Sequence, residues 1–307
     1  MKTLVYTLPD STPCEHYIRD HLTSDAASPP ALWKVFPNGE QYVRLPAIAK
    51  KIVVVGRTWG PGDNLWKTLL LVHAARQNGA EHIVVVLTYY AYSRQDRMRL
   101  KGEPLSGALF AHLCAQAGAS EIITMDLHSR RVQEASPIPI ISVPFIEEFA
   151  RAYREIEPGY EDSVIVAPDK GAKEHANEFA GFLKTGKKCI WIEKERDPVS
   201  GAVHQGIVHG LAHNGRAVLL DDMLDTGGTI EASVNTLRER GFHDISLCVT
   251  HPIFSGEAPA RIKRLGFSHI IVSDTLPLAD SVIRLPDIHV ISAGPKLTKA
   301  ISQSLRT

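Results

Sequence analysis

The sequence predicts an α/β fold made of two similar halves, each a mostly parallel sheet flanked by helices. Three observations predict it. Short apolar runs of strand length alternate with helix-length patterns along the chain. The order of these runs in the first half recurs in the second. Residues 216–232 then read as a strand, an acidic turn, a glycine loop and a helix, which is the arrangement of an α/β ligand site.

In the first half, residues 52–55 read as a strand. Residues 64–77 form a helix with Leu65, Leu69, Val72 and Ala75 on one side, and Asn78-Gly79 ends it. Residues 83–87 are the next strand, 106–116 a helix and 122–125 a strand. In the second half, Lys51 aligns with Arg216, so Val53-Val54-Val55 falls on Val218-Leu219-Leu220. Aligning Gly79 with Gly241 sets Arg76 on Arg238, and aligning Ser120 with Ser268 sets Asp126 on Asp274. The offsets drift only by loop-sized amounts, as a duplicated domain requires. A cut near Pro144, after the turn region of Pro137 and Pro139, divides the chain into 1–143 and 144–307.

Composition narrows the function classes. The chain has 307 residues, long for one core and comfortable for two domains. Its 34 basic residues balance 34 acidic ones, so no overall field favours nucleic acid or an anionic membrane. Residues 1–8 lack the pattern of a secretory signal, and no apolar run approaches membrane-spanning length. The four cysteines, Cys14, Cys114, Cys189 and Cys248, have neither zinc-site nor disulfide-framework spacing, and Cys114 and Cys248 lie in apolar surroundings that suit buried thiols. A reducing cytoplasm is the expected setting.

The chemistry concentrates at residues 217–229. The apolar run 217–220 ends in Asp221 and Asp222, and Asp225, Thr226, Gly227, Gly228 and Thr229 precede a helical pattern. Adjacent glycines let backbone N–H groups approach an anion, and a helix start adds a positive dipole end. Thr226 and Thr229 can donate hydroxyl hydrogen bonds to the same phosphate. Carboxylates beside a phosphate repel it, so Asp221 and Asp222 should accept from sugar hydroxyls or hold a hard cation. Phosphate, diol and metal together indicate a sugar phosphate.

Two further segments follow strands of the first half. Residues 89–103 carry Arg94, Arg97, Arg99 and Lys101 around Asp96, the densest positive cluster in the chain, with Gln95 able to read a base edge. Residues 125–133 carry Asp126, His128 as a metal or phosphate ligand, and Ser129 with two arginines as anion donors. Residues 35–40 are a turn with an aromatic, Phe36, that either stacks on a base or belongs to a plain hairpin.

Taken together and in order, these segments resemble the ribose-phosphate pyrophosphokinase family, the phosphoribosyl diphosphate synthetases, over essentially the whole chain. Phe36, Asn38, Gly39 and Glu40 resemble its Phe-x-(Asp/Asn)-Gly-Glu segment. Ser93-Arg94-Gln95-Asp96-Arg97 resembles Ala-Arg-Gln-Asp-Arg, Asp126-Leu127-His128-Ser129 resembles Asp-Leu-His-Ser, and 221–229 resembles the sugar-phosphate loop shared with phosphoribosyltransferases.

The resemblance implies two duplicated phosphoribosyltransferase-like domains, with ATP-binding loops in the first and the ribose 5-phosphate loop in the second. It implies transfer of the β,γ-diphosphoryl group of ATP to ribose 5-phosphate, with Mg2+ held near His128 and Asp169. ATP would lie on Arg94, Gln95 and Asp96, with Phe36, Asn38 and Glu40 coming from a second subunit, which demands a homo-oligomer of at least two chains. Lys194 and Arg196 fit the Lys-x-Arg catalytic arm of the family. There are two departures: Lys170 and Ala172 stand where the family commonly has small residues, and 98–106 gives no clear match to its regulatory loop. The rival functions are a phosphoribosyltransferase that consumes phosphoribosyl diphosphate and a non-catalytic partner of a synthetase.

Overall fold

A computed structural model of the chain describes residues 2–22, 28–60, 62–186, 189–193, 207–210 and 215–306. They form two compact units, Met1–Pro144 with Ser292–Thr307, and Phe145–Ile291.

The first unit contains β1 (Thr3–Thr7), α1 (Pro13–Leu22), β2 (Leu32–Val35), β3 (Gln41–Arg44), β4 (Lys51–Gly56) and α2 (Asp63–Gln77). These are followed by β5 (His82–Leu87), α3 (Ser106–Ala117), β6 (Glu121–Met125), α4 (Arg130–Glu134) and β7 (Ile140–Val143). Strands β1-β4-β5-β6-β7 make a five-stranded sheet, parallel throughout, and β2 and β3 pair separately as an antiparallel hairpin. The middle strands are buried along nearly their full length, which is why they read as continuous Val/Ile runs rather than alternating ones.

The second unit contains α5 (Ile146–Ile156), β8 (Val164–Ala167), α6 (Lys173–Leu183), β9 (Ile190–Glu193), β10 (Ile207–His209), β11 (Gly215–Leu224) and α7 (Gly228–Glu239). It continues through β12 (Phe242–Pro252), α8 (Ala258–Leu265), β13 (Ile270–Ser273), α9 (Asp280–Ile283) and β14 (Ile288–Ile291). The sheet order is β10-β9-β8-β11-β12-β13-β14, with only the β10/β9 pair antiparallel. Leu219, Val234, Leu237, Leu247 and Ile262 fill the core on one side of this sheet.

The duplication is visible in topology. Strands β8-β11-β12-β13-β14 repeat the spatial order of β1-β4-β5-β6-β7, and in chain order the β9–β10 ribbon, which joins the edge of the second sheet, takes the place of the separate β2–β3 hairpin. The aligned arginines do the same job. Arg76 of α2 donates to Gly118 O at the end of α3, and Arg238 of α7 donates to Leu265 O at the end of α8. These bonds cap helix carbonyls that would otherwise be orphaned.

The C-terminal end differs from the 144–307 division. The last helix, α10 (Gly294–Ser304), belongs to the first unit, where it packs on α1 as α5 packs on α6 in the second. It is tied there by Ser304 to Glu121 and by Lys51 to Leu305 O. Each copy is thus completed by the helix that follows the other copy's last strand.

All four cysteines are buried and free. Burial pushes the thiol pKa of Cys114 up to about 12 and that of Cys189 up to about 11, and it raises Cys248 as well. Thiolates are the reactive form. At pH 8 the native chain is expected to resist a chromogenic disulfide reagent for hours and to release four equivalents in denaturant. Rapid stoichiometric labelling of the native chain would contradict this placement.

Candidate active site

In the second unit the chain leaves β8 toward β9 on one side and leaves β11 toward β12 on the other. The crevice between the carboxyl ends of β8 and β11 is therefore a topological switch point, where open α/β sheets bind ligands. The segments that flank it are the 168–172 turn and the 221–229 segment.

Strand β11 runs through Leu224, four residues beyond the apolar run, so Asp221 and Asp222 lie inside the strand and not at its end. The reason is its neighbour. Strand β12 extends to Pro252 and pairs with β11 as far as Leu224, a backbone partnership invisible to side-chain hydropathy. Both carboxylates remain half-buried between the buried Leu220 and Met223, and Asp222 N–H donates to Asp221 Oδ1 at 3.0 Å.

Residues 225–227 bend the chain, and α7 starts at Gly228. Gly227 holds a left-handed conformation with φ of 78°, which a side chain would strain. Thr226 and Gly228 are exposed, while Asp225 and Thr229 are half-buried. Exposed loop amides meeting a helix N-terminus form an anion site. Across the crevice, Asp169 is exposed, and its Oδ1 accepts the Ala172 N–H at 3.1 Å, which fixes the turn into α6.

The first copy has no equivalent carboxylates. At the aligned position, Arg57 is buried and forked onto Glu15, with Nε to Oε1 at 2.7 Å and Nη2 to Oε2, and it also donates to Asp10 O at 2.7 Å. A buried pair held this tightly fills the strand end from inside the protein.

The first unit instead brings together two segments that are separate in sequence. Ser129 Oγ donates to Asp96 Oδ2 at 2.7 Å and accepts from Arg131 N–H at the start of α4. Burial raises the Asp96 carboxyl pKa, but the Ser129 bond, its own backbone and the charges of Arg97 and Arg131 outweigh that and hold it below the ordinary value. Gln95 Oε1 accepts from Ser106 Oγ at 2.5 Å. Buried Tyr90 anchors the segment by donating to Gly107 O at 2.7 Å, leaving Arg94, Gln95 and Arg97 exposed beside half-buried Asp96. His128 is exposed next to Ser129.

Residues 36–40 are a hairpin turn, with Phe36 N–H to Glu40 O at 2.9 Å and Gly39 N–H to Phe36 O at 2.8 Å. Phe36 is 37% exposed at its tip, with Asn38 and Glu40 exposed beside it. His128 belongs to the first unit and Asp169 to the second, while Lys194 and Arg196 lie outside the described residues.

Residues 4–118 match the N-terminal domain of ribose phosphate pyrophosphokinase, and residues 145–274 match the phosphoribosyl transferase domain. A ribose-phosphate pyrophosphokinase of Methanopyrus kandleri is 37% identical over 256 residues, covering 82% of this chain and 86% of the relative. The chain belongs to the ribose-phosphate pyrophosphokinase family. The pyrophosphokinase of Methanothermobacter thermautotrophicus is 34% identical, covering 87% of this chain and 89% of its own. The crystal structure of phosphoribosylpyrophosphate synthetase from Mycobacterium smegmatis superposes with a TM-score of 0.88 at 29% identity, covering 100% of this chain and 99% of that one. These pyrophosphokinases are transferases, and the two-domain α/β fold is theirs.

The loops are legible in the sequence, but what braces them is not. Arg261 of α8 donates through Nη1 to Thr226 O and through Nε to Glu231 Oε2 at 2.7 Å. Its sequence context, Ala-Arg-Ile-Lys-Arg on an amphipathic helix, reads as a solvated basic face, so only the fold exposes the contact.

Proposed function

We propose that the chain transfers the β,γ-diphosphoryl group of ATP to the 1-hydroxyl of ribose 5-phosphate, giving phosphoribosyl diphosphate and AMP. The observation that carries this is the difference between its two copies. One presents carboxylates and a glycine loop at a switch point, while the other fills that position with Arg57 and Glu15 and presents the cation-rich, Ser129-fixed loop of Asp96. A phosphoribosyltransferase has use only for the first arrangement.

Ribose 5-phosphate would bind with its phosphate on the amides and hydroxyls of residues 225–229 and its diol on Asp221 and Asp222. ATP would rest on Arg94, Gln95 and Asp96, with Phe36 from a second copy against the adenine and Asn38 and Glu40 of that copy beside it. The 1-hydroxyl oxygen attacks the β-phosphorus in line, a new O–P bond forms, and the bridging bond to the α-phosphate breaks with its electrons leaving on AMP. The hydroxyl proton passes to solvent or a phosphate oxygen. Lys194, Arg196 and Arg94 would offset the charge on the transferring group, and no covalent protein intermediate is needed.

The donors suit Mg2+. This cation takes oxygen ligands, usually one or two carboxylates plus substrate phosphates and water. Among the described residues no group of three or more His, Cys, Asp or Glu is placed to hold a metal. Asp169 supplies an oxygen donor, whereas the softer imidazole of His128 suits contact through a bound water or a phosphate. When bound, Mg2+ would neutralise charge on the triphosphate.

An oligomer is supported by the first unit. Leu109 and Leu113 lie one turn apart on α3, with Leu105 at its N-cap, and all three are exposed, Leu109 to 56%. Exposed apolar stripes mark protein interfaces. Leu109→Glu with Leu113→Glu is expected to lower the mass measured by light scattering and to abolish turnover, because Phe36 acts across chains. An unchanged mass would place the interface elsewhere. Four free, buried thiols accord with a reducing cytoplasm, and among the described residues no helix is long and apolar enough to cross a membrane.

AMP release from ATP and ribose 5-phosphate, with no nucleobase present, tests the proposal. AMP formed only when both substrates are present supports it, and its absence contradicts it.

A further inference from the structure

Three consecutive carbonyls at the carboxyl edge of the second sheet are drawn toward one neighbouring segment. Phe254 N–H donates to Leu224 O at 2.9 Å and Ser255 N–H donates to Asp225 O at 3.0 Å. Arg261 Nη1 donates to Thr226 O. In a trans planar peptide the C=O and the following N–H point in opposite directions. Pulling these carbonyls toward residues 254–261 therefore turns the N–H groups of Asp225, Thr226 and Gly227 the other way. Successive amides facing one side make an anion-binding concavity, here directly ahead of α7.

The first two ties are backbone bonds that extend the β11–β12 pairing. The third depends on a side chain, and it holds the peptide that most needs holding. Glycine tolerates either sign of φ, so without a partner for Thr226 O the peptide ahead of Gly227 is free to rotate. Arg261 is itself oriented by Glu231 on α7, and its Cδ lies 3.4 Å from where a Cβ on Gly227 would stand. A partly exposed Arg–Glu pair alone adds little to stability, so the backbone bond is what gives Arg261 a role.

We propose that Arg261 is a positioning residue for the phosphate of the sugar substrate: it holds Thr226 O back so that the Gly227 N–H faces the anion. This rests on assigning residues 225–229 to the 5-phosphate of ribose 5-phosphate.

Calorimetric binding of ribose 5-phosphate and of ATP to the full chain tests it, with thermal unfolding run alongside. Arg261→Met keeps the apolar stem and removes every donor, so ribose 5-phosphate binding should weaken about tenfold with ATP binding unchanged. Arg261→Lys retains one charged donor and should stay within about threefold of the parent. Glu231→Gln leaves the carbonyl bond in place and should stay within about twofold.

Parental affinity in Arg261→Met, or an equal loss for both ligands, overturns the positioning role. So does a loss of about tenfold or more in Glu231→Gln, an outcome readable even if the Met variant does not fold. A parent chain that binds no ribose 5-phosphate overturns the substrate assignment together with this inference. A parent that binds it as tightly as Arg261→Met overturns the inference alone.

Discussion

Lys194→Ala is expected to lower kcat by roughly 10²–10³-fold while leaving the KM for ribose 5-phosphate within about threefold, the pattern of a group that acts only in the transition state. The sugar's phosphate and diol are proposed to sit elsewhere, on 221–229, so ground-state binding should survive. Negative charge grows on the transferring oxygens and on the departing AMP, and a cation placed there lowers the barrier without contributing to affinity. The described residues on either side of 194–206 are paired: Glu193 faces Ile207 across the β9–β10 ribbon, and Trp191 stacks on His209 with centroids 4.0 Å apart. Strand β9 runs parallel to β8, so Glu193 leaves the sheet at the same edge as Asp169. Steady-state AMP release over a titration of ribose 5-phosphate measures both constants, and unchanged turnover would remove Lys194 from the mechanism.

Asp221→Asn combined with Asp222→Asn should reduce kcat/KM for ribose 5-phosphate by roughly 10²–10⁴-fold, since each lost charge-assisted hydrogen bond is worth about 1.5–3 kcal/mol. The effect should fall on the sugar alone. Asn keeps the size of the side chain and leaves the backbone pairing of β11 with β12 intact. Unaltered kcat/KM for the sugar would move the diol away from these residues, and a large fall in melting temperature would assign them a structural role.

Much of this was legible in the sequence because it depends on local rules. The expected strands at 52–55, 83–87 and 122–125 lie within β4, β5 and β6, and the helix at 64–77 matches α2 to within one residue. Val/Ile runs between Gly- and Asn-containing turns leave few alternatives to a buried parallel strand. The glycine loop was legible because three acids, two threonines and two glycines crowd into residues 221–229 between an apolar run and a helical pattern, a density that points to a ligand.

What escaped depends on partners distant in sequence. Strand β11 continues past Leu220 because β12 offers a backbone edge, and hydropathy does not register a backbone partner. Helix α10 joins the first unit through contacts with α1, 270 or more residues away along the chain, with a pattern that says only that one face is buried. The Ser129–Asp96 bond joins two motifs 33 residues apart, and Arg261 lies in no motif at all.

In the proposed reaction a diphosphoryl group, not a single phosphoryl group, moves from ATP to the anomeric oxygen of ribose 5-phosphate. Phosphorus NMR of the chain with ATP, Mg2+ and ribose 5-phosphate tests it most directly. AMP should appear together with a coupled pair of diphosphate resonances on the sugar, in equal amounts. ADP with a singly phosphorylated anomeric position, or no change in either substrate, would contradict it.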